Sequence, residues 1–132
     1  MIPYIREDGE IKFLTMISSD PKFGGPKPMI SKGGIEDGES AIEAAIREAE
    51  EELGLRRENI IGSVHHLTSE IVVLYSGTYQ LDVYYCQVQD RYDFDKWCDE
   101  TLYTQWMSLS EFQSEGRRDH IPFIRRVNDI VA

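Results

Sequence analysis

Positive charge is scarce in this sequence. Its 14 lysines and arginines face 24 aspartates and glutamates, for a formal net charge of −10. A surface that acidic excludes a non-specific grip on nucleic acid, which works by neutralising phosphates with basic side chains. It also suits a phosphate-rich ligand badly, unless cations mediate the contact. Cysteine is nearly missing. Cys86 and Cys98 are the two thiols, too few for a disulfide framework, and neither has a Cys or His neighbour at zinc-ligand spacing. Free thiols in a reducing compartment are the simplest reading. No apolar run approaches the roughly 20 residues of a membrane span. The opening "MIPYIREDGE" lacks a secretory signal pattern. Together these absences point to a cytoplasmic protein with no membrane partner. Internal repeats, low-complexity stretches and linkers are missing too.

What is present suits one folded unit. A chain of 132 residues with 41% hydrophobic and 11% aromatic content can bury one core and is expected to form a single domain over 1–132. "IPYIRE" and "IKFLTMI" read as strands flanking a turn at Asp8-Gly9. Residues 18–28 read as a loop, and "MISKGG" as a short strand running into a glycine turn. Residues 40–53 read as a helix. Ser40 and Glu43 form a capping box, and Gly54 supplies the stop. Ile42, Ala45, Ile46, Ala49 and Leu53 recur at helical spacing as its apolar face. "IIGSVHHLT", "EIVVLYSG" and "TYQLDVYYCQVQ" follow as strands, with a turn at Ser76-Gly77. "YTQWMSL" reads as one more strand. Ser108 and Glu111 form a second capping box, and a terminal helix spans about 119–131, with Pro122 near its start. This order gives an α/β fold, a mixed sheet with helices packed on it.

The stretch "REAEEELGL", residues 47–55, crowds acidic charge onto that first helix. At 100° per residue, with the apolar stripe at zero, Glu51 falls at about 180°, Glu48 at about 240° and Glu52 at about 280°. These carboxylates share one arc, whereas Glu50 and Glu43 point elsewhere. Carboxylates so close disfavour joint ionisation. Divalent cations reverse that, because hard oxygen ligands suit Mg²⁺ or Mn²⁺. The group also sits toward the helix C-terminus, where the macrodipole disfavours negative charge. Arg47, four residues before Glu51, is placed to hold its carboxylate. A solvated acidic face and a metal site both fit this spacing. The preceding "SKGGIEDGE" favours the second, since glycines at 33, 34 and 38 permit close backbone approach to a ligand.

These residues resemble the signature of the Nudix hydrolases: G, five residues, E, seven residues, then R-E-U-x-E-E-x-G-U, with U bulky or aliphatic. Here it reads Gly33, "GIEDG", Glu39, "SAIEAAI", then Arg47-Glu48-Ala49-Glu50-Glu51-Glu52-Leu53-Gly54-Leu55. Every fixed position matches, and Ala49 is a small member of the U class. "TQWMSLSEF" (104–112) resembles a W-x-S-x-x-E segment found late in these domains. The resemblance implies an α/β/α sandwich with a mixed central sheet. It also implies hydrolysis of a nucleoside diphosphate linked to another moiety. On that footing Glu48, Glu51 and Glu52 would be metal ligands for Mg²⁺ or Mn²⁺, joined by the backbone carbonyl near Lys32-Gly33. Arg47 would orient the glutamates, and Glu39 would support the loop or a water. Glu100 is the candidate carboxylate outside the signature, with Asp99 second. A solvated acidic loop is the other reading of "DFDKWCDE".

Such chemistry accounts for the charge imbalance, because the cations come from solution. Lys22, Lys27 and Lys32 border the site and are candidates to touch outer phosphates, or serve only loop solubility. Phe23, in the loop before the signature, is a candidate for the substrate's other moiety. So are the aromatics Tyr75, Tyr79, Tyr84, Tyr85, Tyr92, Phe94, Trp97, Tyr103 and Trp106, among which the sequence does not choose. His65 and His66 should face opposite sides of a strand, one packed and one exposed. The lead-in "SKGG" is similar to P-K-G-G or P-Q-G-G members, which act on diadenosine polyphosphates, diphosphoinositol phosphates or RNA 5′ ends. Ser31 stands where they often have proline. A dinucleoside polyphosphate is the expected substrate, a small nucleotide-derived molecule. ADP-ribose, a diphosphoinositol phosphate and 5′-triphosphate RNA are further possibilities. A catalytically silent nucleotide-binding or regulatory module on the same fold is the alternative.

Overall fold

The computed structural model describes residues 1–19, 26–89 and 101–132. The chain opens with a hairpin of β1 (Ile2–Glu7) and β2 (Glu10–Ser18). Its turn is the expected Asp8-Gly9, both with positive φ, 50° and 80°, which is the backbone a two-residue hairpin loop needs. Helix α1 (Ala41–Leu53) follows, then a single 3-10 turn at Arg57–Asn59. β3 (Ile60–Leu74) and β4 (Gly77–Val88) form a long hairpin. β5 (Thr101–Met107), α2 (Leu109–Glu115) and α3 (Ile121–Val131) complete the chain.

The sheet has five strands in the order β3-β4-β1-β2-β5. β1 runs parallel to β4, while the β1–β2, β2–β5 and β3–β4 pairs are antiparallel. The sheet is therefore mixed, as expected. Alternation along β1 and β2 divides their side chains between two cores. Ile2, Tyr4 and Phe13 point to the side covered by Phe112 of α2 and by Phe123, Ile124 and Val127 of α3. Met1, Ile5, Leu14 and Met16 point to the side covered by Ala49 and Leu53 of α1. The result is an α/β/α sandwich whose central strands are buried on both faces. Each fully buried Ile, Leu or Phe contributes about 1.5–3 kcal/mol of apolar transfer.

Three sequence expectations are corrected. "MISKGG" forms no strand; Met29 makes one isolated bridge to Met16, with backbone bonds of 2.8 and 2.9 Å. The two strands expected between 60 and 77 are one, β3, and its irregularities are register shifts between Ile61 and His65 and between His66 and Thr68. Gly62, at φ 72°, takes a backbone that a β-branched residue resists. His65 and His66 do lie on opposite faces, but both are exposed. His65 stacks on Tyr85 and His66 meets Tyr84 edge-on, with ring centroids 5.2 and 5.3 Å apart. β3 is an outer strand of the sheet. Toward its turn Ile71 and Val73 stand 68% and 75% exposed, next to an open Tyr75.

Candidate active site

The site is built on α1 and the segment before it. Local chemistry fixes the helix ends. The Ser40 side chain accepts from the Glu43 N–H at 3.2 Å, and the Glu43 carboxylate accepts from the Ser40 N–H at 3.3 Å. At the far end Gly54 takes the left-handed conformation, φ 72°. The Leu55 N–H then bonds Ala49 O and the Gly54 N–H bonds Glu50 O, which is a Schellman closure. The last turn carries no basic residue of its own to set against the helix dipole.

Arg47 organises the acidic groups. Its Nε donates to Glu39 Oε2 at 2.7 Å, and its Nη2 to Glu39 Oε1 at 3.1 Å and to the Gly34 carbonyl at 2.9 Å. Its Nη1 donates to Glu48 Oε1 at 2.9 Å and to Glu51 Oε2 at 3.3 Å. One planar fork thus ties the loop, through Gly34 and Glu39, to two turns of helix, through Glu48 and Glu51. The Arg47 hydrogen bonds hold the Glu39 carboxyl below its ordinary range, helped by the Glu36 N–H at 3.0 Å. Glu39 in turn holds the Arg47 guanidinium firmly in its charged form.

Glu52 departs from its expected place. The helical wheel sets it on one arc with Glu48 and Glu51, away from the apolar stripe, but it is buried at 6% exposure. The buried face of α1 is Ala44, Ala49, Glu52 and Leu53, while Ile42, expected in the apolar stripe, is 36% exposed. The cause is Ser31 and Lys32, which meet the helix on that side. Glu52 Oε1 accepts from Ser31 Oγ at 3.0 Å and from the Lys32 N–H at 3.1 Å. Burial pushes the Glu52 carboxyl up to about 7; the Ser31 hydrogen bond opposes that shift and the Glu48 charge adds to it.

Gly33 and Glu48 meet closely. A Cβ on Gly33 would fall 2.0 Å from the Glu48 carboxyl carbon, so only glycine leaves that carboxylate its place. Lys32 is half-buried, and burial followed by the neighbouring Arg117 charge lowers its pKa. Lys27 stands exposed. Glu100, Asp99, Lys22 and Phe23, with the aromatics Tyr92, Phe94 and Trp97, lie outside the described residues.

The structure thus brings Glu39, Arg47, Glu48, Glu51, Glu52 and Gly33 to one edge of α1. Among the described residues no three His, Cys, Asp or Glu side chains converge as a ready-made metal cluster; Glu48 and Glu51 both lean on Arg47. The donor chemistry nonetheless fits a hard divalent cation: carboxylate oxygens on adjacent turns, beside a glycine cradle that a side chain would fill. Two supporting residues escaped sequence reasoning. Ser31, at the position where proline is common, donates to Glu52. His120, buried at 1% exposure, accepts the Ile30 N–H at Nδ1, 3.2 Å away. The serine was visible as a departure from pattern, whereas nothing local marked the histidine.

Comparison with known proteins follows this geometry. A family model described as NUDIX domain matches residues 1–127. No curated protein matches the chain. Among solved structures, a Caenorhabditis elegans Ap4A hydrolase binary complex superposes with TM-score 0.83 at 19% identity, covering 98% of this chain and 93% of that one. The NUDIX domain of Shewanella oneidensis NrtR, complexed with ADP ribose, gives 0.81 at 14% identity, covering 99% and 84%. A NUDIX hydrolase from Nitrosomonas europaea gives 0.72 at 24% identity, covering 97% and 86%.

Proposed function

The chain belongs to the NUDIX domain family and is a hydrolase of pyrophosphate bonds, and from that premise we propose that it cleaves a dinucleoside polyphosphate with the help of Mg²⁺ or Mn²⁺. The observation that carries this reading is the fork of Arg47, which gathers Glu39, Glu48, Glu51 and the Gly34 carbonyl into one array beside Glu52. Glu48, Glu51, Glu52 and the Gly33 carbonyl would hold the divalent ions. Those ions supply neutralisation of the diphosphate oxygens and acidify a bound water.

The chain's own residues do the rest. Arg47 fixes the rotamers of Glu48 and Glu51, so that the ligands are ordered before substrate arrives. Glu39 anchors the other edge of that fork and ties the glycine loop to the helix. Gly33 lets the backbone approach the carboxylates. Lys32 faces the same end of α1 and is suited to an outer phosphate. Lys27 and Phe23 are weaker candidates for the remainder of the substrate, and Glu100 for a further carboxylate. Two observations support the substrate: the "SKGG" lead-in and the fold likeness to an Ap4A hydrolase. ADP-ribose is the second reading, favoured by the likeness to a domain complexed with it. The free, buried thiol of Cys86, which burial pushes up to about 12, accords with a cytoplasmic setting. No described helix is long and apolar enough to cross a membrane.

The deciding experiment is a panel of diadenosine tetraphosphate, ADP-ribose, a diphosphoinositol phosphate and 5′-triphosphate RNA, assayed with Mg²⁺, Mn²⁺ or chelator, with product identification. Metal-dependent release of a mononucleotide from the tetraphosphate is expected. Failure to cleave it while another member is turned over would replace the proposed substrate with that one.

A further inference from the structure

Each of residues 28–32 is bonded to a distant part of the chain. The Pro28 carbonyl accepts from the Arg117 N–H at 2.8 Å, and Met29 exchanges bonds of 2.8 and 2.9 Å with Met16. The Ile30 N–H donates to His120 Nδ1 at 3.2 Å. The Ser31 carbonyl accepts from the Met1 amino group at 2.7 Å. Ser31 Oγ and the Lys32 N–H then donate to Glu52 Oε1, at 3.0 and 3.1 Å. Of the groups that anchor the backbone of 28–31 through these bonds, His120 alone is a side chain. The others are main-chain groups, which no ordinary substitution takes away.

These residues pass between the two cores. Met29 packs on the α1 side and Ile30 on the side of α2 and α3. His120, at the start of α3, is buried with its ring centroid 6.2 Å from that of Phe123. The imidazole thus supports the chain from the α3 side, while Ser31 and Lys32 act on the α1 side. For Nδ1 to accept an N–H, the neutral ring carries its proton on Nε2, the nitrogen 4.0 Å from the Asp119 carboxylate. Burial favours that neutral form. Ile30 is fully buried, so without Nδ1 its N–H would be orphaned, and the chain must shift to find another acceptor. The planar Ile30-Ser31 peptide hands any such shift to the next residue. Both bonds to Glu52 fall on one oxygen, so the places of Ser31 and Lys32 decide how that carboxylate is turned.

We infer that His120 is a positioning residue for the hydrolytic site: from the α3 side it holds Ile30, and through Ile30 the two donors that orient the Glu52 carboxylate toward a divalent ion. This role rests on the hydrolase reading above, in which Glu52 is an ion ligand. It gives a consequence for hydrolysis to a buried histidine that touches neither ion nor substrate. It also couples the two helical layers, since the corner before α3 then bears on the ligand geometry of α1.

The test compares the full chain as wild type, as His120→Leu, which removes the acceptor, and as His120→Asn, whose Oδ1 replaces Nδ1. Calorimetric titration with Mn²⁺ accompanies steady-state kinetics. In His120→Leu the Mn²⁺ Kd is expected to rise and kcat to fall, each about tenfold, with the nucleotide KM within about twofold of wild type. His120→Asn should recover most of both losses. In a Glu52→Gln background, His120→Leu should weaken Mn²⁺ binding no further, because the ligand it acts through is gone. A second measurement needs no substitution. Coupling is reciprocal, so saturating Mg²⁺ should slow exchange of the Ile30 amide hydrogen in wild type by about tenfold more than it slows the amides of β1. Wild-type Mn²⁺ affinity in His120→Leu, equal losses in His120→Asn, or Ile30 exchange slowed no more than that of β1 overturns the positioning role while leaving the enzyme reading intact. A wild type that binds no divalent ion and cleaves no member of the substrate panel overturns the hydrolase reading, and the role of His120 with it.

Discussion

Gly33 and Glu48 share a space that admits only one of them with a side chain: a Cβ on the glycine would stand 2.0 Å from the glutamate's carboxyl carbon. The carboxylate is the far end of a flexible side chain, so it can yield. Gly33→Ala should therefore fold and melt nearly as wild type but push Glu48 off its position. A displacement of about 1 Å at a reacting centre can cost about 100-fold in rate, and that is the expected loss in kcat. A kcat lowered by about 100-fold with an unchanged melting curve supports the relationship. Full activity in Gly33→Ala would sink it.

Arg47 offers a complementary case. Its guanidinium bridges Gly34, Glu39, Glu48 and Glu51. A lysine keeps the charge but cannot span four acceptors in one plane. Arg47→Lys is expected to weaken Mn²⁺ binding and lower kcat by about 10- to 100-fold, the usual range for a group that orients metal ligands. Metal titration followed by calorimetry, alongside steady-state assays, separates the two effects. Wild-type metal affinity in the variant would remove Arg47 from that role.

Glu52 should trade stability against function. Its carboxyl is buried and shifted up to about 7 by that burial, above the ordinary value, so the unfolded chain releases its proton first. Metal-free stability is therefore lost as pH rises from the ordinary carboxylate value through about 7. Glu52→Gln keeps an acceptor for Ser31 and Lys32 but removes the charge. In chelator at pH 8 it should be more stable than wild type by up to about 3 kcal/mol, while hydrolysis falls by orders of magnitude. A denaturant titration that showed the variant less stable would contradict this account.

How far was this site legible beforehand? The capping boxes at Ser40/Glu43 and Ser108/Glu111 and the stop at Gly54 were, because each is a contact between residues at most six positions apart. The acidic array was legible from spacing, but the burial of Glu52 was not. A helical wheel needs the direction of the core, and here Glu52 is covered by Ser31 and Lys32, brought in from outside the helix. The same long-range contact hid the roles of Ser31 and His120 and dissolved the expected "MISKGG" strand. The Lys32 N–H of that segment serves Glu52 and the Ile30 N–H serves His120, so neither serves a neighbouring strand. The two strands expected as "IIGSVHHLT" and "EIVVLYSG" are joined because both pair with one partner, β4, across two register shifts.

His120 supplies the pH test away from the glutamates. Its imidazole is pushed down to about 3 by burial, against the pull of Asp119 and with the Lys32 and Arg117 charges adding to the depression. Below the ordinary histidine value the unfolded chain takes up a proton that the folded chain refuses. Stability is therefore complete above about pH 6.5 and declines as pH falls toward 3, by as much as about 1.4 kcal/mol per pH unit. Denaturant titrations at pH 7, 6 and 5 should show this slope in wild type and a shallower one in His120→Gln. Identical slopes would mean that another group governs the acid limb.

The outer strand of the sheet bears on how the protein behaves in concentrated solution. Within Ile60–Leu74 the only formal charge is Glu70, and Ile71 and Val73 are open to solvent. Unpaired strand edges invite pairing with another chain unless charge forbids it. Here the prohibition comes from the molecule as a whole, through its net charge of −10, and not from the strand. Colloidal stability should fail first near the isoelectric point of about 4.7, where mutual repulsion vanishes. Light scattering during acidification should then rise later in Val73→Lys than in wild type; coincident curves would place the association elsewhere.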